Sequence, residues 1–359
     1  MSEQIGDAKL PEGAAPGTAQ ILDLAVVIPA LNEAQTLPRL LAQLRGQQDI
    51  SLKIIVADSG STDDTAEAAR GAGATVVTAP RGRGAQMNAG ARAAAAEFLL
   101  FLHADSELIQ PRLLADALAA LRRTDSGQVR VAGHFPLRFS GTSAQYAPFY
   151  RHVEGKTRLN RPYTINGDQG LLISRTFFDQ LGGFDESLPF LEDQRIAAKI
   201  FAQSRWIMLP GELVTSARRF ETEGHARRYT LMALIMGLYA GGAAEFLARV
   251  PQIYTSHSET GRLDLRPFHS EIEKFFTELG FVERWKLLLR IGRFVRENTW
   301  QLFYRRDVLR GDEDHLCLRF HDRFVEPLIK NVFFDTLAAL LTRAWFLFVL
   351  PRTIRAFNV

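Results

Sequence analysis

Four acidic residues stand where short apolar runs give way to polar ones, and carboxylates so placed can hold a cation or take up a proton. Asp105 closes the stretch Leu102-His103-Ala104-Asp105, directly after the apolar run Phe98–Leu102. A carboxylate there can bind Mg²⁺ or Mn²⁺, hard cations that prefer oxygen and bridge to phosphate oxygens. His103 beside it reads either as a donor-facing group or as a polar strand end. Asp58, at the end of Lys53–Asp58, can accept from a base imide or from ribose hydroxyls, with Asn32 and Glu33 placed to help. Alternatively Ser61 and Asp63 near it simply cap a helix. Glu192-Asp193 opens a helical stretch, where an acid either accepts a proton from a hydroxyl or merely complements the helix dipole. The loop Pro80–Gly90 joins Arg81 and Arg83 to glycines where a helix begins. Such a loop can bring backbone N–H groups and guanidinium forks to a diphosphate. It lacks the GxxxxGK[ST] spacing, and Met87 stands where the third glycine of GxGxxG belongs.

The elements that must carry these residues follow from the apolar pattern. Leu24–Pro29, Lys53–Asp58, Ala74–Thr78 and Phe98–Leu102 read as strands, separated by helices over Leu37–Leu44 and Gly84–Ala96. Continuous apolar strands alternating with helices predict a parallel sheet covered on both faces, an α/β Rossmann-like fold. In such a fold ligands sit beyond the carboxyl ends of the strands. Pro29, Ala30, Asn32 and Glu33 follow the first strand, Asp58, Ser59 and Gly60 the second, and His103, Ala104 and Asp105 the fourth. Three furnished strand ends predict one polar crevice. Further on, Val129–Leu137, Gly170–Ser174 and Glu212–Thr215 read as strand pieces, and Arg175–Leu181 as a helix. Beyond about Thr230 the chain reads as helical.

The bulk composition narrows the function classes. The chain has 359 residues, and 43 basic residues nearly cancel 40 acidic ones, which argues against a nucleic-acid partner. The single cysteine, Cys317, leaves no internal disulfide and no cysteine-built metal site, and it fits a reducing cytosol. Residues 1–20 lack the basic start and apolar core of a signal peptide and read as a disordered tail. The division expected is therefore a tail over 1–20, a catalytic domain over 21–250 and a helical extension over 251–359.

In order along residues 22–250, Val27–Glu33, Val56–Asp63, Arg81–Gly90, Leu102–Asp105, Gly167–Gly170, Gly182–Phe184 and Leu191–Asp193 resemble the family 2 glycosyltransferases, which have a GT-A fold. The wording of Leu102–Asp105 and Val214–Phe220 is similar to a bacterial subgroup described as arsenosugar-biosynthesis or radical-SAM/selenodomain-associated transferases. The resemblance implies an inverting, metal-dependent transfer of a sugar from a UDP- or GDP-sugar. It assigns the catalytic base to Asp193, the metal ligand to Asp105 and nucleoside binding to Asp58. Pro29, Asn32 and Glu33 would line the nucleotide pocket, and Gln86 and Asn88 would border the donor. One departure stands out: His103 replaces the first acid of the usual DxD. Arg218 and Arg219 then read as partners of the leaving diphosphate or as a solvated turn.

The last hundred residues lie outside the resemblance. Between residues 284 and 310, eight Lys/Arg face two acids, and Trp285, Leu288, Ile291, Val295, Leu302 and Phe303 fall near one stripe. A basic amphipathic helix of this kind can lie on an anionic membrane. The apolar run within 332–350 is interrupted by Asp335 and Arg343 and reads as too short to span. Packing on the catalytic domain or a second subunit, peripheral membrane contact and a transmembrane helix all remain open. The expected location is cytoplasmic, at the inner membrane face where those helices dock. Three functions stay in view: a transferase with an unidentified acceptor, polyprenyl phosphate among the candidates; a nucleotidyltransferase, disfavoured by the missing lysine near residue 30; and a catalytically silent sugar-nucleotide binder.

Overall fold

The computed structural model describes residues 22–125, 130–253 and 261–357; the tail expected over 1–20 lies outside them. The first half alternates strand and helix: β1 (Leu22–Ala30), α1 (Leu37–Arg45), β2 (Leu52–Asp58), α2 (Thr65–Gly71), β3 (Thr75–Thr78), α3 (Arg83–Ala93), β4 (Ala96–Phe101) and α4 (Leu113–Thr124). Strands β1 to β4 are mutually parallel, in the order β3-β2-β1-β4. Alternate residues of β1 serve two cores. Leu24, Val26 and Ile28 pack with the leucines of α1 and α4, and Ala25 and Val27 pack with Met87 and Ala91 of α3. A strand with both faces covered needs apolar residues at every position, hence the unbroken run.

Next come β5 (Val131–His134), β6 (Leu137–Ser140), α5 (Ala147–Lys156), β7 (Leu171–Ser174), α6 (Arg175–Gln180), α7 (Glu192–Gln203), β8 (Arg205–Met208), β9 (Leu213–Ser216) and α8 (Arg218–Glu223). Seven strands form the order β3-β2-β1-β4-β7-β5-β8, and β6 pairs with β9 apart. The sheet is therefore mixed rather than parallel. β7 runs antiparallel to β4, with Leu171 opposite Phe101. The chain enters β7 from a turn at Gly167–Gln169, so Leu171 at the start of β7 stands opposite Phe101 at the end of β4. That reversal sets a loop against the crevice.

Two sequence readings shift, and one strand goes unread. The piece from Val129 to Leu137 divides into β5 and β6 in different sheets, with Pro136 between them; Val129 itself lies outside the described residues. The helix expected to reach Ala96 stops at Ala93. The Arg175 guanidinium takes the carbonyls of Ala91, Ala94 and Ala96, which frees Ala96 to start β4. The four-residue, half-exposed β8 left no readable pattern.

The rest is helical: α9 (His225–Ala240), α10 (Ala244–Ile253), α11 (Arg266–Glu278), α12 (Phe281–Glu297), α13 (Trp300–Arg310), α14 (Leu316–Phe320), α15 (Glu326–Ile329), α16 (Val332–Ala344) and α17 (Leu350–Phe357). Leu231 and Leu238 of α9 and Phe246 of α10 pack in one core with Phe268, Ile291, Ala339 and Leu350. The helical core thus begins ahead of the boundary expected at residue 250. The basic stripe of 284–310 is divided by the fold. Leu288 and Ile291 are buried in this core, and Arg296 is buried against Asp335 of α16. Trp285, Val295 and Leu302 of the same stripe stay exposed, so only part of the amphipathic face is paired inside the protein. By contrast, Val332–Phe357 is one helical run of 26 residues, long and apolar enough to cross a bilayer by length and composition, and little of it is buried.

Candidate active site

The ends of β1 and β2 are tied together before any ligand is considered. The Gln86 amide, buried on α3, donates to the carbonyls of Ala30 (2.8 Å) and Ala57 (2.9 Å). Asn32 adopts a left-handed φ of 56°. Its carboxamide oxygen accepts from Thr62 N–H at 2.9 Å, and its own N–H donates to Ser61 Oγ. Glu33 N–H donates to Thr65 Oγ1. Asp58 accepts from the Gly60 and Ser61 amides, and Gly60 takes a φ of 84° to allow this turn. Ser59 Oγ is buried without a hydrogen-bond partner among the described residues. Pro29 and Ala30 are buried in β1. Asp58 and Asn32 are thus held in a rigid rim. Asn88 turns the other way: it donates to Phe184 O and accepts from Phe184 N–H, bracing the turn at Gly182–Phe184 instead of facing the crevice.

Beyond β4, Ala104 is buried, Asp105 is exposed and His103 is largely covered. The structure adds a partner the sequence did not signal. His103 Nδ1 lies 2.8 Å from Asp168 Oδ1, on the turn that leads into β7. Burial by itself would push the imidazole down; the Asp168 hydrogen bond, with the charges of Asp168 and Asp105, outweighs it and the opposing Arg83, so His103 stands above its ordinary pKa. Burial would likewise push Asp168 up, yet its bond to His103, reinforced by Arg83 and Arg219, holds it down to about 2. Position 103 thus carries an imidazole with a carboxylate, that of Asp168, bonded to it.

The same turn touches the base candidate. Gly167 N–H donates to Asp193 Oδ2 at 2.8 Å, and Asp193 Oδ1 accepts from Gln194 N–H at 2.7 Å. A Cβ on Gly167 would stand 2.7 Å from His103 Nε2 and 3.6 Å from Asp193 Oδ2, so only glycine lets these groups close around the turn. Leu191, just before α7, holds a φ of 66°, a strained value for a branched side chain that aims the start of the helix. Glu192 is fully buried; burial, then the neighbouring Asp193 charge, pushes its carboxyl up, with Arg83 4.0 Å away opposing. Arg83 therefore faces His103, Asp168 and Glu192 together. Both arginines after β9 are exposed, and of the two Arg219 acts on Asp168.

Asp105 makes no hydrogen bond among the described residues. An exposed hard-oxygen donor beyond a strand end suits a divalent cation, with a single protein ligand. His103 commits Nδ1 to Asp168, which leaves Nε2 as the ring nitrogen free to face a ligand.

Residues 25–182 match the family model of glycosyl transferase family 2. That match supports a family 2 glycosyltransferase domain, and the sheet with helices on both faces is of the GT-A type. Over 97 residues the chain is 37% identical to uncharacterized glycosyltransferases of Mycobacterium tuberculosis (strain ATCC 25618 / H37Rv) and Mycobacterium bovis (strain ATCC BAA-935 / AF2122/97). The match spans 26% of this chain and 43% of each relative, less than half its length. Among solved structures, a mannosyltransferase from Pyrobaculum calidifontis in complex with GDP-Man and Mn²⁺ is 19% identical, covers 94% of this chain and 91% of its own, and superposes with a TM-score of 0.47.

Proposed function

We propose that the chain is an inverting, divalent-metal-dependent glycosyltransferase that moves a sugar from a nucleoside diphosphate to an acceptor hydroxyl. The observation that carries this reading is the junction at Gly167–Asp168. One turn positions both Asp193, as the base, and the His103–Asp168 pair beside Asp105, so proton removal and diphosphate departure share one crevice. The family match over the donor-side half supports it.

In this reading Asp58 and the Asn32–Glu33 rim take the nucleoside, of UDP or GDP. Arg83 and Arg219 offer guanidinium forks to the diphosphate. A Mg²⁺ or Mn²⁺ on Asp105 supplies charge neutralisation for the leaving group. Glu192, whose buried carboxyl favours its proton, leaves Asp193 as the carboxylate that accepts the acceptor's proton while the sugar carbon is displaced with inversion. Gln86 and Asn88 serve by bracing the crevice. Assignment to the arsenosugar or radical-SAM-associated subgroup rests on motif wording alone.

The test uses the full chain with UDP- and GDP-sugars, with and without Mn²⁺. Asp193→Asn should lower turnover by about 10²–10⁴-fold and leave nucleotide affinity unchanged. Asp105→Ala should remove the Mn²⁺ dependence of both nucleotide binding and turnover, with circular dichroism intact. Full turnover in Asp193→Asn would refute the base assignment. Tight nucleotide binding by the wild type with no turnover on any donor would favour the silent binder.

A lipid-linked acceptor at a membrane surface is the second reading, and the exposed apolar run Val332–Phe357 favours it.

A further inference from the structure

Between α9, α11, α12 and α16 lies a partly open cavity of about 410 Å³, a size usual for small-molecule sites. Leu234, Phe276, Ile291, Phe294 and Trp345 are among its walls, and Arg343 is the one charged residue lining it. Arg343 Nη1 is buried and has no hydrogen-bond partner among the described residues. Its guanidinium sits 5.3 Å from the Phe276 ring centroid and 6.0 Å from that of Phe346. Nearby, Arg284 Nε is also buried and without a hydrogen-bond partner among the described residues, although its Nη2 donates to Leu279 O.

Two deficits coincide here. A cationic N–H removed from water without an acceptor carries its full desolvation penalty. An apolar cavity offers water too few polar partners to hold it well. Water would relieve the first poorly, and a neutral hydrocarbon would relieve only the second. A ligand with one apolar chain and one anionic head relieves both, because a carboxylate or phosphate matches the guanidinium fork. The rim residue Leu341 is exposed and belongs to the apolar run of α16, so the cavity opens beside an apolar surface.

We infer that this cavity binds a single-chain anionic amphiphile, its chain between α9 and α12 and its carboxylate or phosphate on Arg343. The site stands apart from the sugar-transfer crevice and does not depend on the function proposed for it.

Calorimetry on the full chain tests it with oleate, oleoyl lysophosphatidate and oleyl alcohol, each below its micelle concentration. Both anions should bind at least tenfold more tightly than the alcohol, and the tighter of the two identifies the head group. Arg343→Gln should abolish that preference. Gly237→Leu should weaken all three at least tenfold; an added Cβ there lies 3.8 Å from Ile291 Cγ2, an ordinary contact, so the helix tolerates it. If Gly237→Leu fails to fold, Arg343→Gln carries the test. Absence of saturable binding, equal affinity for alcohol and anions, or an unaltered preference in Arg343→Gln would each overturn the inference. So would a stable dimer that covers Trp345 and binds no amphiphile.

Discussion

His103 and Asp168 share one charge balance, and its sign sets a pH window. His103 stands above its ordinary value of 6.5, so what the pair contributes is complete below 6.5 and is lost as pH rises through the raised value. Asp168 is lowered from 3.8 to about 2, so its contribution is complete above 3.8 and is lost as pH falls toward 2. Both partners are charged between these limits. Asp168 is half-exposed, so solvent screens the pair and its effect on global stability is small. The direct measurement is an NMR titration of the His103 imidazole. Its midpoint should lie above 6.5 in the wild type and fall in Asp168→Asn, where burial acts with less opposition. An unchanged midpoint would show that Asp168 does not hold the imidazole. The pair also shows what the sequence concealed. Position 103 looked like a lost carboxylate, and the imidazole there binds a carboxylate from 65 residues away.

Close approach between elements depends on glycine, as at Gly167 and Gly292. Gly167 lets the turn before β7 pass between His103 and Asp193. Gly292 does the same where α12 crosses α16, since a Cβ there would stand 2.4 Å from Asp335 O and 2.5 Å from Ala339 N. Both atoms are backbone, so no flexible side chain can give way. Gly292→Ala should therefore cost about 1–3 kcal/mol by overpacking, read as a lower unfolding midpoint with the nucleotide crevice unaffected. Equal stability would mean that α16 moves freely on α12. Arg296 and Asp335 make the same contact by charge, with Arg296 buried. Taking one partner away would leave the other charge uncompensated.

Over the whole molecule, apolar surface is distributed unevenly. The strands bury theirs on both faces, whereas the C-terminal helices leave Leu316, Phe320, Phe324 and Leu328 exposed at four-residue spacing. Val332, Phe333, Leu340, Leu341 and Phe348 extend that exposure along α16 and beyond. This apolar helical stripe, with Arg319, Arg323 and Lys330 beside it but also Asp322 and Glu326, can be tested as a membrane-facing surface. Replacing Phe320 and Phe324 together by Glu should reduce sedimentation with anionic vesicles at least tenfold and leave the unfolding midpoint within about 0.5 kcal/mol of the wild type, because exposed residues contribute little packing. Undiminished vesicle binding would move the contact elsewhere.

Local pattern determined the first half of this protein. Unbroken apolar runs in β1, β2 and β4 are demanded by burial on both faces, and the polar residues at their ends had to meet beyond the sheet. That is why Asp58, Asp105 and the Asn32–Glu33 rim were legible. The start of α7 was legible too, since Glu192 and Asp193 open a helix. Tertiary structure decided the rest. The antiparallel return of β7 set Gly167 and Asp168 against β4, a pairing that depends on where a loop re-enters the sheet. The side-chain directions of Gln86 and Asn88 follow from carbonyls on distant strands and turns. The fate of the basic stripe on α12 was equally non-local: its apolar residues would suit a membrane or a partner helix, and only the position of α16 made Leu288 and Ile291 core while Val332–Phe357 remained largely uncovered.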